Sequence, residues 1–169
     1  RLGENNFELV DYLDVPLNRN FSVSDPEILK LLEEKLHDFC GNPAGQNIWC
    51  AITSAKVETR CIRIPKLARK QIPNAVFWTF TKKISYNAQE EILDYEVLGD
   101  ITEGGIKKTE VMAFKAPKED IKLLKDTFQS IGYPLQGITI VPFAIQNLFR
   151  AGIIPQYDHD ICCLFVGRD

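Results

Sequence analysis

The stretch KQIPNAVFWTFTKK, residues 70–83, decides the fold because it predicts a helix set between strand-forming segments. Ile72, Val76 and Phe80 recur every four residues, which is the spacing of one apolar helix face. Pro73 lacks a backbone N–H and fits a helix only in the first turn, so the helix should not begin much before residue 70. We therefore expect one short amphipathic helix here.

Strand-like segments flank this helix on both sides. Residues 56–64 precede it, and residues 91–98 and 108–115 follow it. We expect residues 99–105 to join the last two strands, and Gly104-Gly105 suits a hairpin because glycine adopts the positive φ angles of tight turns. The block predicts a strand-helix-strand-strand subdomain inserted into a larger α/β lobe.

Before this block, the sequence predicts two strands separated by a helix. Residues 7–15 alternate between apolar and polar side chains, which is typical of a half-buried strand. A capping box of Ser24 and Glu27 predicts the start of the helix, and Gly41 its end. Residues 48–52, IWCAI, form a short apolar run of strand length.

After the block, helices and strands continue to alternate. Pro117 opens a helix with an apolar stripe, residues 137–141 predict a buried strand, and residues 143–150 a further helix after Pro142. Residues 161–166 predict one last strand. Mixed strands and helices in this order indicate an α/β fold rather than a helical bundle or a β-sandwich.

The composition excludes some classes of protein. The chain has 169 residues, of which 45% are hydrophobic and 25% charged, so it is not an intrinsically disordered protein. A net charge of −3 argues against a nucleic-acid binder held by phosphate contacts and does not favour anchoring to an acidic membrane. The chain begins without Met and stops directly after an apolar run, and we expect both ends to be cuts through a larger protein.

The cysteines predict buried, reduced thiols in a cytoplasmic protein. They number five, two of them are adjacent, and no C-x-x-C pair occurs: Cys40, Cys50, Cys61, Cys162 and Cys163. A secreted disulfide scaffold would carry an even and denser set. No window approaches the length of a membrane-spanning helix and no signal peptide is visible.

One segment could supply metal ligands, the run Asp158-His159-Asp160-Ile161-Cys162-Cys163. If a strand begins near Ile161, however, Cys162 and Cys163 point to opposite faces of it. We therefore expect a polar turn leading into a strand, with a metal or thiol site as the hypothesis ranked last. His37 follows an apolar helix position and is expected to be a surface histidine.

No catalytic motif is intact in the sequence. Residues 41–45 contain spaced glycines, but they follow a helix where a phosphate-binding loop would follow a strand, so we interpret them as a helix stop. A basic cluster comprises Arg60, Arg63, Lys66, Arg69 and Lys70, and Trp78 is the nearest aromatic side chain able to stack on a base. A solvated face is the expectation for this cluster.

The succession of segments resembles the PilM family, the actin-like type IV pilus assembly proteins. The resemblance covers nearly the whole chain in order, with related proteins in the cell-division protein FtsA and the cytoplasmic domain of GspL. The matching segments are residues 48–52, RCIRIP at 60–65, QIPNAVFW at 71–78, LDYEVLG at 93–99, IGY at 131–133 and ITIVPFA at 138–144.

The resemblance implies a partial actin-like, ribonuclease H-like lobe with an inserted subdomain. Residues 1–55 plus 132–158 would form the incomplete first lobe, and residues 56–131 the insert. Residues 159–169 would be the first strand of a truncated second lobe. An exposed edge strand would then invite pairing between two copies, so a homodimer is a further expectation.

The resemblance also implies where a nucleotide would bind. In the family, glycine turns hold the phosphates, and one such turn should read Asp-x-Gly after a strand. Here the matching residues are Phe165-Val166-Gly167, so only Gly167 remains of that cofactor site. Val141 also stands where the family usually places an acid before Pro142. We expect no catalytic residue and no cofactor in this chain. ATP and Mg²⁺ would bind, if at all, to the intact protein.

The implied function is that of a cytoplasmic scaffold. In the family, the tail of an inner-membrane partner of the PilN type lies in a groove between the main lobe and the insert. We therefore expect a peptide partner, no nucleic acid and no insertion into the membrane, with the protein held at the inner membrane through its partner. The alternative is an actin-like ATPase of pilus or type II secretion machinery whose nucleotide site is incomplete in this chain.

Overall fold

The computed structural model describes residues 10–16, 25–52 and 56–154. The chain divides into two compact units, a main-lobe unit (residues 1–53 with 123–169) and an insert unit (residues 54–122). The regular elements are, in chain order, α1 (Pro26–Cys40), β1 (Ile48–Ile52), β2 (Glu58–Pro65), α2 (Ile72–Thr81), β3 (Glu91–Glu103), β4 (Ile106–Pro117), α3 (Lys118–Ser130), β5 (Leu135–Ile140) and α4 (Val141–Arg150).

The insert unit is an antiparallel sheet in the order β2-β4-β3, with α2 packed on one face. The strand-helix-strand-strand order and the α/β class are therefore confirmed. The predicted stripe of α2 faces the sheet, where Val76 and Phe80 are buried against Ile62 and Ile64 of β2 and Val111 of β4. Pro73 lies in the first turn of α2, where its missing N–H breaks no helical hydrogen bond.

The hairpin between β3 and β4 is tighter than predicted. Gly104 and Gly105 have φ angles of 57° and 77°, which suits a two-residue turn whose twist matches the strands. The expected loop over residues 99–105 is wrong, because Gly99 to Glu103 pair with β4 as part of β3. The polar residues Asp100, Thr102 and Glu103 favour a loop in the sequence, but as part of the edge strand β3 their side chains are exposed to water.

The main-lobe unit contains a parallel pair of strands, β1 and β5, with Trp49 opposite Gly137 and Ile52 opposite Ile140. The predicted strand at residues 48–52 is confirmed. Helix α4 packs on this pair, and Ile140 and Phe143 are buried there. The hydroxyl of Tyr133 donates a hydrogen bond of 2.6 Å to the carbonyl of Gly41, which ties the turn after α3 to the end of α1.

Helix α1 ends at Gly41 as predicted, but the predicted capping box is wrong. The N-cap is Asp25, whose carbonyl accepts hydrogen bonds of 2.9 Å from the amides of Ile28 and Leu29. With Asp25 as the N-cap, Pro26 lies in the first turn of the helix, where its missing N–H breaks no helical hydrogen bond. Ser24 lies outside the described residues.

The predicted strand over residues 7–15 is wrong for the part that the structure describes. Residues 10–16 form no regular element, and Val10 and Tyr12 are 90% and 79% exposed. Alternating hydrophobicity marks a face that could be buried, but a strand also needs a neighbour for its backbone groups. Residues 7–9 and the strand predicted at 161–166 lie outside the described ranges, and the predicted domain boundaries remain predictions.

Candidate binding surfaces

The residues predicted to matter most for chemistry lie outside the described part of the chain. This holds for Gly167, the remnant of a phosphate turn, and for the possible ligands at 158–163. His37 is exposed on α1, as predicted. Within residues 10–16, 25–52 and 56–154, no three His, Cys, Asp or Glu side chains are grouped so as to hold a metal ion.

The centre of the insert unit carries a buried lysine that the sequence analysis missed. The Nζ of Lys115 donates hydrogen bonds of 2.8 Å to Oε1 of Glu91 and 2.9 Å to the carbonyl of Ser85, and lies 2.9 Å from Oε1 of Glu58. The Lys115 side chain is only 9% exposed. The sequence pattern could have identified this lysine, because Lys115 continues the alternation of buried residues along β4 that includes Thr109, Val111 and Ala113. A buried ammonium needs acidic partners. 

Lys115 and Glu91 stabilise each other's ionised form, and Glu58 adds to the effect on Lys115. Hydrogen bonding to Glu91, and then to Glu58, raises the pKa of Lys115 above its ordinary range. Hydrogen bonds from Lys115 and from the amide of Asn87 lower the pKa of Glu91. With three acceptors for its three N–H groups, the ammonium joins β2, β3, β4 and the turn after α2, so its role is structural.

A row of ion pairs crosses the insert sheet. Arg63 pairs with Glu103 and with Glu110 at 3.2 Å, Lys66 pairs with Asp100, and Lys108 pairs with Glu103. The pKa of Glu103 is lowered by Lys108 and Arg63, and that of Asp100 by Lys66 and Thr109. The predicted basic cluster is thus solvent-exposed but, at Arg63 and Lys66, already neutralised by acids of β3 and β4.

The cations that precede and follow α2 differ from those of this row because they are not neutralised. Arg69, Lys70, Lys82 and Lys83 are exposed, and none of them forms an ion pair with any described residue. Trp78 stands between them in sequence and is 64% exposed. Sequence reasoning placed α2 but overlooked this face, although no Asp or Glu occurs between Glu58 and Glu90. 

The aromatic side chains on α2 pack edge to face. The rings of Phe77 and Trp78 have centroids 5.2 Å apart and planes at 82°, and Phe77 meets Tyr86 in the same manner at 5.9 Å. This is the geometry that the ring quadrupoles favour. Phe77 therefore supports Trp78 from one side while the indole remains accessible to solvent.

The cysteines in the described part are free thiols, but they are not uniformly buried as predicted. Cys40 and Cys50 are half-buried, whereas Cys61 is exposed because it points away from the face of β2 that carries Ile62 and Ile64. Burial raises the pKa of Cys50, and desolvation together with Glu110 raises that of Cys61. Both thiols are therefore poorer nucleophiles than an ordinary cysteine at neutral pH.

Both units present strand edges. Among the described strands, β1 and β5 have no neighbour other than each other, and β2 and β3 flank β4 with one open edge each. Open edges carry backbone donors and acceptors that can pair with an extended peptide. On the main-lobe pair, the indole of Trp49 lies over Gly137 and is 63% exposed.

None of the helices in the described residues is both long enough and apolar enough to cross a membrane.

Comparisons with known proteins give matches in structure alone. No protein-family model matches the sequence, and the search of curated proteins gave no match. The fold is similar to that of a solved PilM-PilN type IV pilus biogenesis complex, with a TM-score of 0.53 and 20% identity over 72% of this chain and 36% of that chain. The cytoplasmic domain of EpsL, an inner-membrane component of the type II secretion system of Vibrio cholerae, matches with a TM-score of 0.44 and 11% identity, over 67% of this chain and 42% of that chain.

The match to the PilM-PilN structure establishes the fold. The chain spans 36% of the length of the PilM-PilN structure's matched chain, so it corresponds to a part of that molecule. The predicted fold class is confirmed: this is an α/β chain with part of an actin-like lobe and an inserted strand-helix-strand-strand subdomain.

Proposed function

We propose that this chain is part of a PilM-like cytoplasmic scaffold that binds the cytoplasmic tail of an inner-membrane partner in type IV pilus assembly. Membership of the PilM family is part of this proposal. The observation that carries it is the likeness of the fold to a PilM structure solved as a complex with PilN. Location at the cytoplasmic side of the inner membrane follows from such a partner.

The surface chemistry supports peptide binding. A tail peptide in extended conformation gains affinity from backbone hydrogen bonds to an open strand edge and specificity from side-chain contacts beside it. Among the described strands, β1, β5, β2 and β3 each have an edge without a neighbour that can supply the backbone hydrogen bonds. Exposed aromatic groups such as Trp49 can supply the side-chain contacts.

Isothermal titration calorimetry tests the proposal directly. The 169-residue chain is titrated with a synthetic peptide of the cytoplasmic tail of a PilN-type protein, and a scrambled peptide of the same composition is the control. We expect saturable one-to-one binding of the native sequence and none of the scrambled one. Equal heats from both peptides, or no binding of either, would rule out the proposed partner.

We further propose that the chain does not hold a nucleotide by itself. The supporting observation is the loss of the acid from the resembling turn, which reads Phe165-Val166-Gly167. A ligand that binds the native state raises its apparent stability in proportion to RT ln(1 + [L]/Kd). Thermal melts with and without Mg-ATP should therefore coincide, and a concentration-dependent rise in Tm would favour the ATPase alternative instead.

A further inference from the structure

Charge is segregated along the chain more strongly than the net value of −3 reveals. Between residues 59 and 89 there are seven Lys and Arg residues and no Asp or Glu, namely Arg60, Arg63, Lys66, Arg69, Lys70, Lys82 and Lys83. The net charge of the whole molecule therefore hides one strongly basic segment. This segment contains β2, α2 and the connection between them.

The structure separates six of these cations into two groups, while the seventh, Arg60, is exposed on β2 and donates a hydrogen bond to the carbonyl of Thr59. Arg63 and Lys66 lie beside acids of β3 and β4 and are consumed in the row of ion pairs. Arg69 and Lys70 precede α2, and Lys82 and Lys83 follow it, and these four are exposed without an acidic partner among the described residues. Of the five cations in this segment that form no ion pair with a described residue, four thus lie at the two ends of one helix.

Between these cations, α2 presents an aromatic side chain to solvent. Val76 and Phe80 are buried at 1% and 0% exposure, and Trp78, two residues from each, lies on the opposite side of the helix with 64% exposure. Lys82 follows Trp78 by four residues and so shares its side of the helix. Arg69 and Lys70 lie in the short turn just before α2, and Lys83 comes directly after Lys82. We name Trp78, together with these four cations that flank α2 in the chain, the basic aromatic face.

We propose that the basic aromatic face docks on an anionic lipid surface. Each Lys or Arg near such a surface adds favourable electrostatic energy. Tryptophan favours the headgroup region, because its apolar ring can contact the acyl chains while its N–H remains hydrogen-bonded. The proposal rests on these residues and is independent of the proposed peptide partner.

Vesicle co-sedimentation of the 169-residue chain tests this proposal. Vesicles of phosphatidylcholine alone are compared with vesicles that also contain phosphatidylglycerol, at low and at high ionic strength. We expect binding to the anionic vesicles that high salt releases, and little binding to the neutral ones. Absence of binding to anionic vesicles at low salt, or equal binding to both kinds, would overturn the proposal.

Matched variants locate the surface. Lys82→Gln with Lys83→Gln should weaken vesicle binding about tenfold or more, since each cation near the surface contributes about 1 kcal/mol. Lys122→Gln with Lys125→Gln removes the same charge from exposed positions of α3 and should leave binding within about twofold. Equal losses in the two double variants would contradict a role for this face, provided that circular dichroism shows both folded.

The two tryptophans of the chain provide a second readout. Trp49→Phe leaves Trp78 as the fluorophore, and its emission should shift to the blue on anionic vesicles. Trp78→Phe leaves Trp49, whose emission should stay unchanged. A shift confined to Trp49 would overturn the assignment. So would charge-dependent retention on polyglutamate without vesicle binding, which would make the face an interface for acidic proteins instead.

Discussion

The insert unit and the main-lobe unit differ in how deeply the described residues bury their side chains. All five of the largest fully buried side chains belong to the insert: Ile62, Ile64, Val76, Phe80 and Val111. In the main-lobe unit, α1 has no buried residue and the described core is small, consisting of Ile131, Tyr133, Ile140 and Phe143. The insert therefore forms a well-buried core between its own sheet and helix. The described main-lobe elements form a smaller one.

The difference follows from sheet architecture. In the insert, β4 is paired on both sides and one face of the sheet is covered by α2. The described main-lobe sheet has two strands, and two-stranded sheets depend on packing against other elements for stability. Among the described residues, the insert therefore has the more completely packed core.

The sharpest test of this contrast removes one phenyl ring from each unit. Phe80→Ala leaves a cavity in the insert core and should lower the free energy of unfolding by about 3–5 kcal/mol. Phe39→Ala on α1, where Phe39 is 43% exposed, should cost less than about 1 kcal/mol. Urea denaturation followed by circular dichroism measures both. Similar losses in the two variants would show that the main-lobe unit is as tightly packed as the insert.

The buried lysine gives the next largest effect. Lys115→Met keeps the aliphatic volume but removes the ammonium that pairs with Glu91 and Glu58 and donates to the Ser85 carbonyl, at a cost of about 2 kcal/mol. Lys122→Met at an exposed position of α3 is the matched control and should change stability by less than about 0.5 kcal/mol. If the Lys115 variant is as stable as the parent chain, the cluster does not hold the insert strands together.

The same cluster predicts a direction for pH dependence. Because the folded-state pKa of Glu91 lies below its ordinary value of 4.5, its pairing stabilises the fold above about pH 4.5, and that contribution is lost as pH falls through the folded-state pKa. The pKa of Lys115 is raised above 10.5, so its contribution is present below pH 10.5 and is lost as pH rises through the folded-state value.

Urea midpoints measured over an acid series check this direction. Glu91→Gln should flatten the acid limb of the curve, because it removes a carboxylate that titrates differently in the folded and unfolded states. Glu90→Gln changes the exposed neighbouring carboxylate and is the control. An acid limb that is unchanged by Glu91→Gln but flattened by Glu90→Gln would refute the assignment.

A pair of glycines gives the smallest predicted difference. A Cβ at Gly137 would lie 2.6 Å from Cε3 and Cη2 of Trp49, so Gly137→Ala must displace the exposed indole and should cost about 0.5–1.5 kcal/mol. A Cβ at Gly99 in β3 meets open space, and Gly99→Ala should change stability by no more than about 0.5 kcal/mol. In a Trp49→Ala background the cost at Gly137 should vanish, and its persistence there would show that another contact is responsible.

Local patterns predicted the insert well. The four-residue spacing of Ile72, Val76 and Phe80 identified α2 and its buried face, and Gly104-Gly105 identified the hairpin, because both signals reside in contiguous residues. The error over residues 99–103 arose because the same polar residues serve an edge strand and a loop. The register that decides between them is set by pairing with β4, which is not local.

Features that depend on distant partners were not predictable in the same way. Lys115 is joined to Glu58 and Glu91, 57 and 24 positions away, and only the sheet brings them together. The strand expected at residues 7–15 is the opposite case, in which the local pattern is present but the distant partner is not. Its side chains alternate between apolar and polar, yet residues 10–16 pair with no described strand. Trp78 was visible in the sequence, but its exposure follows from which side of α2 meets the sheet.

Native-state hydrogen exchange tests the central claim most directly, namely that the insert is the self-supporting part of this PilM-like fold. The account predicts that amides of the central strand β4, Ile106–Pro117, exchange most slowly and only through global unfolding of the insert. Amides of β1 and β5 should exchange faster, through opening of the two-stranded sheet. Protection in β1 and β5 equal to or greater than that in β4 would contradict the account.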